Sequence, residues 1–134
     1  MFYAHWEDVP PQHWPWGNFT PEELASQGDQ SIMIDAEAID RLQWTRGTVG
    51  RMIVNSAYRD PIHNARVGGA PLSGHKFGHA FDISLRGHDR HGLLNTCRSA
   101  GFTGFGFYQT FLHVDCGGRR QWYGDNIART TWTS

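Results

Sequence analysis

Hydrophobic and polar positions along the chain follow two different periods, one typical of helices and one typical of strands. The clearest helical period runs from Ala36 to about Arg46, where Ile39 and Leu42 recur on one side. Asp35 stands before this segment as an N-cap, and Gly47 is predicted to end it. The pattern therefore predicts an amphipathic helix with one side buried against a core.

Two further helices are predicted from their boundaries. One runs from His88 to Ala100. A shorter one begins after Thr20, the predicted N-cap, with Pro21 at its first position and Glu23 closing a capping box. This short helix is predicted to stop near Gly28.

Apolar runs and alternating residues predict four strands, at residues 51–56, 80–85, 103–107 and 111–116. They are joined mostly by loops or hairpins, with helices grouped before and between them. This order favours an α+β fold, with helices packed on an antiparallel sheet. The length of 134 residues favours one domain over 1–134, in which residues 1–18 form an irregular arm rich in proline and tryptophan.

Charge and composition exclude several classes of function. With 12 basic and 13 acidic residues and a net charge of −1, the chain has no electrostatic footprint for nucleic acid. No apolar run is long enough to span a membrane, and the start lacks a secretory signal, so synthesis in a cytoplasm is expected. Cys97 and Cys116 are isolated, which argues against a cysteine zinc knuckle or a thioredoxin-type site.

The 8 histidines are many for this length and point to a metal or proton-transfer site. His75 and His79 are four residues apart, like the pair in helical zinc proteases. That motif requires a glutamate directly after the first histidine, where this chain has Lys76, and Gly78 is unfavourable inside a helix. The helical zinc protease motif is therefore rejected.

A strand geometry fits the histidines better. On the predicted strand over 80–85, Asp82 lies on the face opposite to His79, and on the last strand His113 and Asp115 share one face. Two histidines with one carboxylate leave the fourth tetrahedral position of zinc open, as in catalytic sites, where zinc lowers the pKa of bound water to about 7. From spacing alone, a single histidine or aspartate in a strand is more often a hydrogen-bonded structural residue than a metal ligand.

Three motifs in order give the chain a resemblance to a known family. They are the run SAYRDPIHNARVGGA at 56–70, an SxHxxGxAxD pattern at 73–82 and FLHVD at 111–115. Together they resemble the M15 family of zinc D,D-peptidases, which act on peptidoglycan and share a fold with the hedgehog signalling domain. The similarity extends from about residue 18 to 122 and is strongest to compact, single-domain members found in bacteriophages.

The resemblance implies a role for each matching residue. His75, Asp82 and His113 are the expected ligands of one zinc ion. Asp115 is the candidate general base, and the alternative is that it orients a ligand. Positions 109–111, where some members carry the base instead, hold no acidic residue.

Substrate contacts are also implied by the resemblance. Arg59 matches the family arginine that faces the substrate, where it can bind a carboxylate or stabilise an oxyanion. Ser73 is expected to hydrogen-bond within the site and Tyr58 to line it. The segment 119–122 is expected to form one wall of the groove.

The family implies a zinc peptidase that hydrolyses peptidoglycan stem peptides or cross-links next to a D-amino acid, and we expect the protein to be a monomer. The alternatives for the bond that is cut are the one hydrolysed by a D,D-carboxypeptidase or endopeptidase and the one hydrolysed by an L-alanyl-D-glutamate endopeptidase. Without a signal peptide, we expect a phage endolysin that leaves the host cytoplasm through a holin-type pore and acts on the cell wall. A bacterial enzyme for wall remodelling is the second hypothesis. A non-catalytic, zinc-stabilised wall-binding or structural module of the same fold is the alternative class.

Overall fold

A five-stranded sheet forms the centre of the fold and packs helices against one face. The computed structural model describes all residues from 1 to 134. The strands are β1 (Phe2–Tyr3), β2 (Ile32–Met33), β3 (Val54–Ser56), β4 (Ala80–Ser84), β5 (Gly104–Phe107), β6 (Phe111–Asp115) and β7 (Arg120–Tyr123). The helices are α1 (Pro21–Leu24), α2 (Ala36–Val49), α3 (Pro61–Arg66), α4 (Arg90–Ala100) and α5 (Asn126–Thr133). The predicted α+β class is confirmed.

The central sheet has the strand order β3-β4-β6-β5-β7. Its neighbours are antiparallel, as predicted, except that the edge strand β7 runs parallel to β5. In the β4–β6 pair, Asp82 lies opposite His113, and Ala80 lies opposite Asp115. This register brings polar residues of two strands together on one face of the sheet.

The other face of the sheet builds the hydrophobic core. Strand alternation sends Phe81 and Leu112 to this side, where they share one cluster with Ile39 and Leu42 of α2 and Leu93 of α4. Each of these large side chains, once buried, contributes about 1.5–3 kcal/mol relative to exposure. The core therefore holds the sheet rigid beneath the polar face.

Helix α2 is longer than predicted. Asp35 caps it as expected, because its side chain accepts a hydrogen bond from the backbone N–H of Ala38 at 3.1 Å. The helix continues through Gly47 and ends at Gly50, which has a φ of +82°. A glycine inside a helix costs only about 1 kcal/mol, whereas the positive φ needed at the end strongly favours glycine. The predicted end at Gly47 is wrong for this reason.

Helix α1 is a single turn without the predicted capping box. Thr20 makes no side-chain capping bond, and the helix ends at Ala25 rather than near Gly28. Glu23 instead pairs with Arg46 of α2 at 2.5 Å. The carboxylate of Glu23, which the local pattern predicts in a capping box, therefore forms an ion pair with a distant arginine instead.

The arm at residues 1–18 is partly regular. Strand β1 pairs with β2, and two short 3-10 turns follow it. Its indoles lie against the domain: Trp16 donates to Asp40 Oδ1 at 2.7 Å, and Trp14 donates to the carbonyl of Phe19 at 2.8 Å. The indole N–H groups of Trp14 and Trp16 therefore both have a partner.

The C-terminal helix α5 is an element that the sequence pattern did not predict. Asp125 caps it by accepting from the backbone N–H of Ala128 at 2.7 Å, and Trp132 is buried in the core. The indole of Trp132 donates to the carbonyl of Tyr108 at 2.9 Å, which ties the helix to the β5–β6 hairpin. None of the helices has both the length and the apolar character needed to cross a membrane.

Candidate metal centre

Three side chains from separate segments converge on the polar face of the sheet. His75 comes from a 3-10 turn, Asp82 from β4 and His113 from β6, and their ligand atoms all lie within 4.8 Å of one another. Nε2 of His75 is 3.2 Å from Asp82 Oδ1, and Nδ1 of His113 is 2.9 Å from the same oxygen. These are the three ligands predicted from the sequence, and all are buried.

The turn that carries His75 is shaped by the residues on either side of it. Ser73 caps it, because its Oγ accepts from the backbone N–H of His75 at 3.2 Å. Gly78 ends it with a φ of +76°, and a Cβ there would lie 2.6 Å from the carbonyl oxygen of Met33. The predicted tight return at Gly78 therefore has both a conformational and a steric cause.

In each imidazole, one ring nitrogen is hydrogen-bonded away from Asp82, and the other ring nitrogen is directed at Asp82. Nδ1 of His75 donates to the carbonyl of Ala57 at 2.6 Å, since a carbonyl can only accept. Nε2 of His113 donates to Asp115 Oδ2 at 2.7 Å. Two nitrogen lone pairs and one carboxylate oxygen thus face a common point.

The spacing and chemistry of these atoms fit a zinc ion. Tetrahedral zinc with ligands at about 2.0–2.1 Å places neighbouring donors about 3.3 Å apart, close to the 2.9 and 3.2 Å found here. Two acceptor atoms at such distances require a proton or a metal cation between them. Imidazole nitrogens with their other N–H groups hydrogen-bonded are also the usual form of zinc-binding histidine.

The electrostatics of the group favour a cation. Burial acts to raise the pKa of Asp82, but its hydrogen bonds with His113 and His75 outweigh burial and hold that pKa well below the usual range. Burial lowers the pKa of His113, whereas its bonds to Asp115 and Asp82 raise it by more. A metal ion that binds here displaces the proton of His113, so metal affinity weakens as the pH falls through that raised pKa.

Asp115 lies on the side of His113 that faces away from Asp82. Besides His113, its oxygens accept from Arg120 at 2.7 and 2.9 Å and from the backbone N–H of Gly117 at 2.9 Å. These bonds outweigh the effect of burial and hold the pKa of Asp115 well below the usual range. The geometry therefore favours the alternative weighed for Asp115, in which it orients the ligand His113, over the general base.

Two glycines of β5 make room for this arrangement. Gly104 faces Asp115 and Gly106 faces His113, while Phe105 and Phe107 between them enter the core. A Cβ at Gly106 would lie 2.6 Å from the ring of Trp122, which packs 5.1 Å from the His113 ring. The alternation of glycine and phenylalanine thus leaves room on the polar face of β5 for Asp115, Arg120 and Trp122.

We expect Gly104→Ala to displace the pair formed by Asp115 and Arg120. Its Cβ would overlap Asp115 Oδ1 and Nη1 of Arg120, so the free energy of unfolding should fall by about 1–3 kcal/mol, and zinc affinity should fall with it. Thermal unfolding and zinc titration measure the two effects. Gly118→Ala is the matched control, because no atom lies within 4 Å of its Cβ. Equal melting and zinc affinity for both variants would contradict the assignment.

Arg59 stands at the second oxygen of Asp82. Its Nη2 is 3.4 Å from Asp82 Oδ2, its Nε donates to Ser56 Oγ at 3.2 Å, and its Nη1 donates to Asn64 Oδ1 at 3.4 Å. Buried Asn64 also donates to the carbonyl of Ala70 at 3.0 Å. The guanidinium is therefore held beside the candidate metal ligands by Ser56 of β3 and Asn64 of α3.

An open cleft of about 470 Å³ lies over the three ligands. Arg59 and Ser73 line it as predicted, and Trp122 forms one wall together with Tyr108. Tyr58 is placed differently from the prediction, because it is buried away from the cleft with its ring 6.5 Å from that of Phe2. The cleft therefore presents both charged and aromatic groups.

Tyr108 is a cleft residue that the sequence reasoning missed. Its ring stacks on Phe111 at 4.3 Å, and its hydroxyl accepts from the indole of Trp122 at 3.0 Å. An aromatic residue at a strand end is ordinarily read as core, and nothing local in the sequence distinguishes this one.

A group of two imidazoles and one carboxylate, open to a cleft, is the ligand set of a metal-dependent hydrolase. A family model described as Peptidase M15 matches residues 17–116, and the chain therefore belongs to the peptidase M15 family. The resemblance found in the sequence is confirmed. The match includes the three ligands and ends just beyond Asp115, before Arg120 and Trp122. A search of curated proteins finds no match.

Proposed function

We propose that the protein is a zinc metallopeptidase that hydrolyses peptidoglycan stem peptides or cross-links next to a D-amino acid, as a phage endolysin in host lysis. The observation that carries the proposal is the placement of His75, Asp82 and His113 at the floor of an open cleft whose wall holds Arg59. Membership of the peptidase M15 family supports the same reaction class.

Some residues of the site would hold the metal ion, and others would bind the substrate. His75, Asp82 and His113 would hold zinc, which when bound supplies a Lewis acid and lowers the pKa of water. Arg59, fixed 3.4 Å from Asp82 Oδ2, is placed to bind a peptide carboxylate in bidentate fashion or to stabilise negative charge on a carbonyl oxygen. Asp115 keeps the proton of His113 on Nε2, so that Nδ1 stays directed at the metal position.

The test is digestion of purified sacculi by zinc-loaded protein, with mass spectrometry of the released peptides. Release of fragments ending at a D-amino acid is expected, and the masses identify the bond. Removal of zinc with a chelator should stop the release, and added zinc should restore it, because the proposed reaction depends on the zinc ion. Release that continues after verified zinc removal would contradict the proposal.

One observation favours the non-catalytic module as a second candidate. Asp82 is the only carboxylate that lines the cleft, and Asp115 is fully engaged on the far side of His113. A module of this kind would bind zinc with a rise in melting temperature and bind the wall, yet release no peptide. The sacculus digestion therefore separates the two candidates.

A further inference from the structure

A second groove, which we name the arginine groove, opens beside the metal cleft. It has a volume of about 400 Å³ and lies between the last turn of α4 and the edge strand β7. Its walls include Arg98, Thr103, Phe105, Arg119, Arg120 and Gln121. None of its lining residues is acidic, although the chain as a whole carries a net charge of −1.

Two of the three guanidinium groups lack a carboxylate partner. The arginines that form ion pairs are Arg41, Arg46, Arg59 and Arg120. Arg98 instead lies over the ring of Phe105 at 5.5 Å and reaches Gln121 Oε1 at 3.5 Å. Both Arg98 and Arg119 are exposed, so their N–H donors are free to bind an anion.

Arg120 connects the arginine groove to the metal cleft. Its side chain lines both, while its Nη atoms bind Asp115 and its guanidinium lies 5.0 Å from the ring of Trp122. The pairing with Asp115 fixes Arg120 in place, and the side chain is still 46% exposed. The groove lies on the α4 side of the sheet, so a ligand that passes from the cleft around the sheet edge at Arg120 reaches the arginine groove.

We propose that the arginine groove is a subsite for carboxylates of the peptide substrate, at positions remote from the bond that is cut. This inference rests on the proposed function. Guanidinium groups recognise carboxylates through paired, charge-assisted hydrogen bonds. Stem peptides of the wall contain D-glutamate and, in many cell walls, diaminopimelate, both of which carry carboxylates besides the peptide bonds.

The small size of the groove favours a peptide over a polyanionic chain. Proteins that bind phosphodiester polymers neutralise a long series of phosphates with an extended basic surface, whereas this groove holds three guanidinium groups, one of them already paired. Its continuity with the cleft also suits the same chain that the cleft would bind.

The test compares two double variants with equal loss of charge. Arg98→Ala with Arg119→Ala removes the free guanidinium groups of the groove. Arg51→Ala with Arg86→Ala removes two exposed arginines that line a different surface depression. Co-sedimentation with sacculi freed of phosphodiester polymers measures binding, and the KM and kcat of peptide release are measured separately.

We expect the groove variant to bind sacculi roughly fivefold more weakly than the parent, with KM raised and kcat little changed, because the lost contacts bind ground state and transition state alike. The control variant should match the parent. Amidation of the wall carboxylates should abolish the difference in binding between the parent and the groove variant.

Equal binding by the groove and control variants would overturn the subsite. So would a difference that survives amidation or that appears only on walls retaining phosphodiester polymers. If the parent releases no peptide but the carboxylate-dependent difference in binding persists, the proposed peptidase function fails and the subsite stands.

Discussion

Replacing His113 with alanine is expected to abolish zinc binding and peptide release together. The change removes Nδ1, which lies 2.9 Å from Asp82 Oδ1, and leaves only His75 and Asp82 as ligands. Two protein ligands are one fewer than the three that hold a catalytic zinc ion, so the ion should be lost. We expect less than one-tenth of the parent's zinc content after dialysis, measured by elemental analysis, and loss of sacculus digestion.

His79→Ala is the matched control for this experiment. His79 is four residues from His75 and partly buried, but its ring packs 5.9 Å from that of Phe77 and lies outside the ligand group. This variant should retain one zinc ion per chain and the parent's rate of digestion. Full zinc content in His113→Ala, or loss of zinc in His79→Ala, would show that the wrong histidine has been assigned.

Replacing Asp115 with alanine is expected to lower zinc affinity roughly 10- to 100-fold, as removal of a group that orients a metal ligand does. The imidazole of His113 loses the partner that fixes its proton on Nε2, and Arg120 loses its carboxylate. At saturating zinc, kcat should remain within about tenfold of the parent if Asp115 only orients His113. Loss of a general base would instead lower kcat by about 10²–10⁴-fold. Zinc titration and steady-state digestion measure the two effects.

Asp89→Asn serves as the control for a lost carboxylate. Asp89 caps α4 by accepting from the backbone N–H of Gly92 at 2.9 Å and lies outside the metal group. It should change stability slightly and zinc affinity not at all. A 10²-fold or larger loss of kcat in Asp115→Ala, with unchanged zinc affinity, would restore Asp115 as the general base.

Much of the candidate site was predictable because it follows from local geometry. In a strand, alternate side chains share a face. The run Phe111–Asp115 therefore places His113 and Asp115 on one face, and Leu112 and Val114 on the other face. Gly78, directly after the turn that carries His75, indicates a tight chain return because glycine readily adopts a positive φ. Backbone periodicity and turn chemistry operate within a few residues.

Other features depended on residues distant in the sequence. Whether Asp115 faces the cleft or supports His113 is decided by Arg120, which arrives on a parallel edge strand that the pattern did not reveal. Tyr58 follows the strand β3, yet its ring is directed at Phe2 from the arm rather than at the cleft. Neither outcome can be read from the period of a single segment.

From motifs and periods within short segments, the amino-acid sequence predicted the family, the α+β class, the core side of each long element and the three candidate metal ligands. The tertiary structure decided the directions of the imidazole nitrogens, the role favoured for Asp115 and the meeting of the cleft with the arginine groove. These depend on the docking of β7, α4 and the β5–β6 hairpin, and the packing of segments far apart in the chain is set by their combined surfaces rather than by any one pattern.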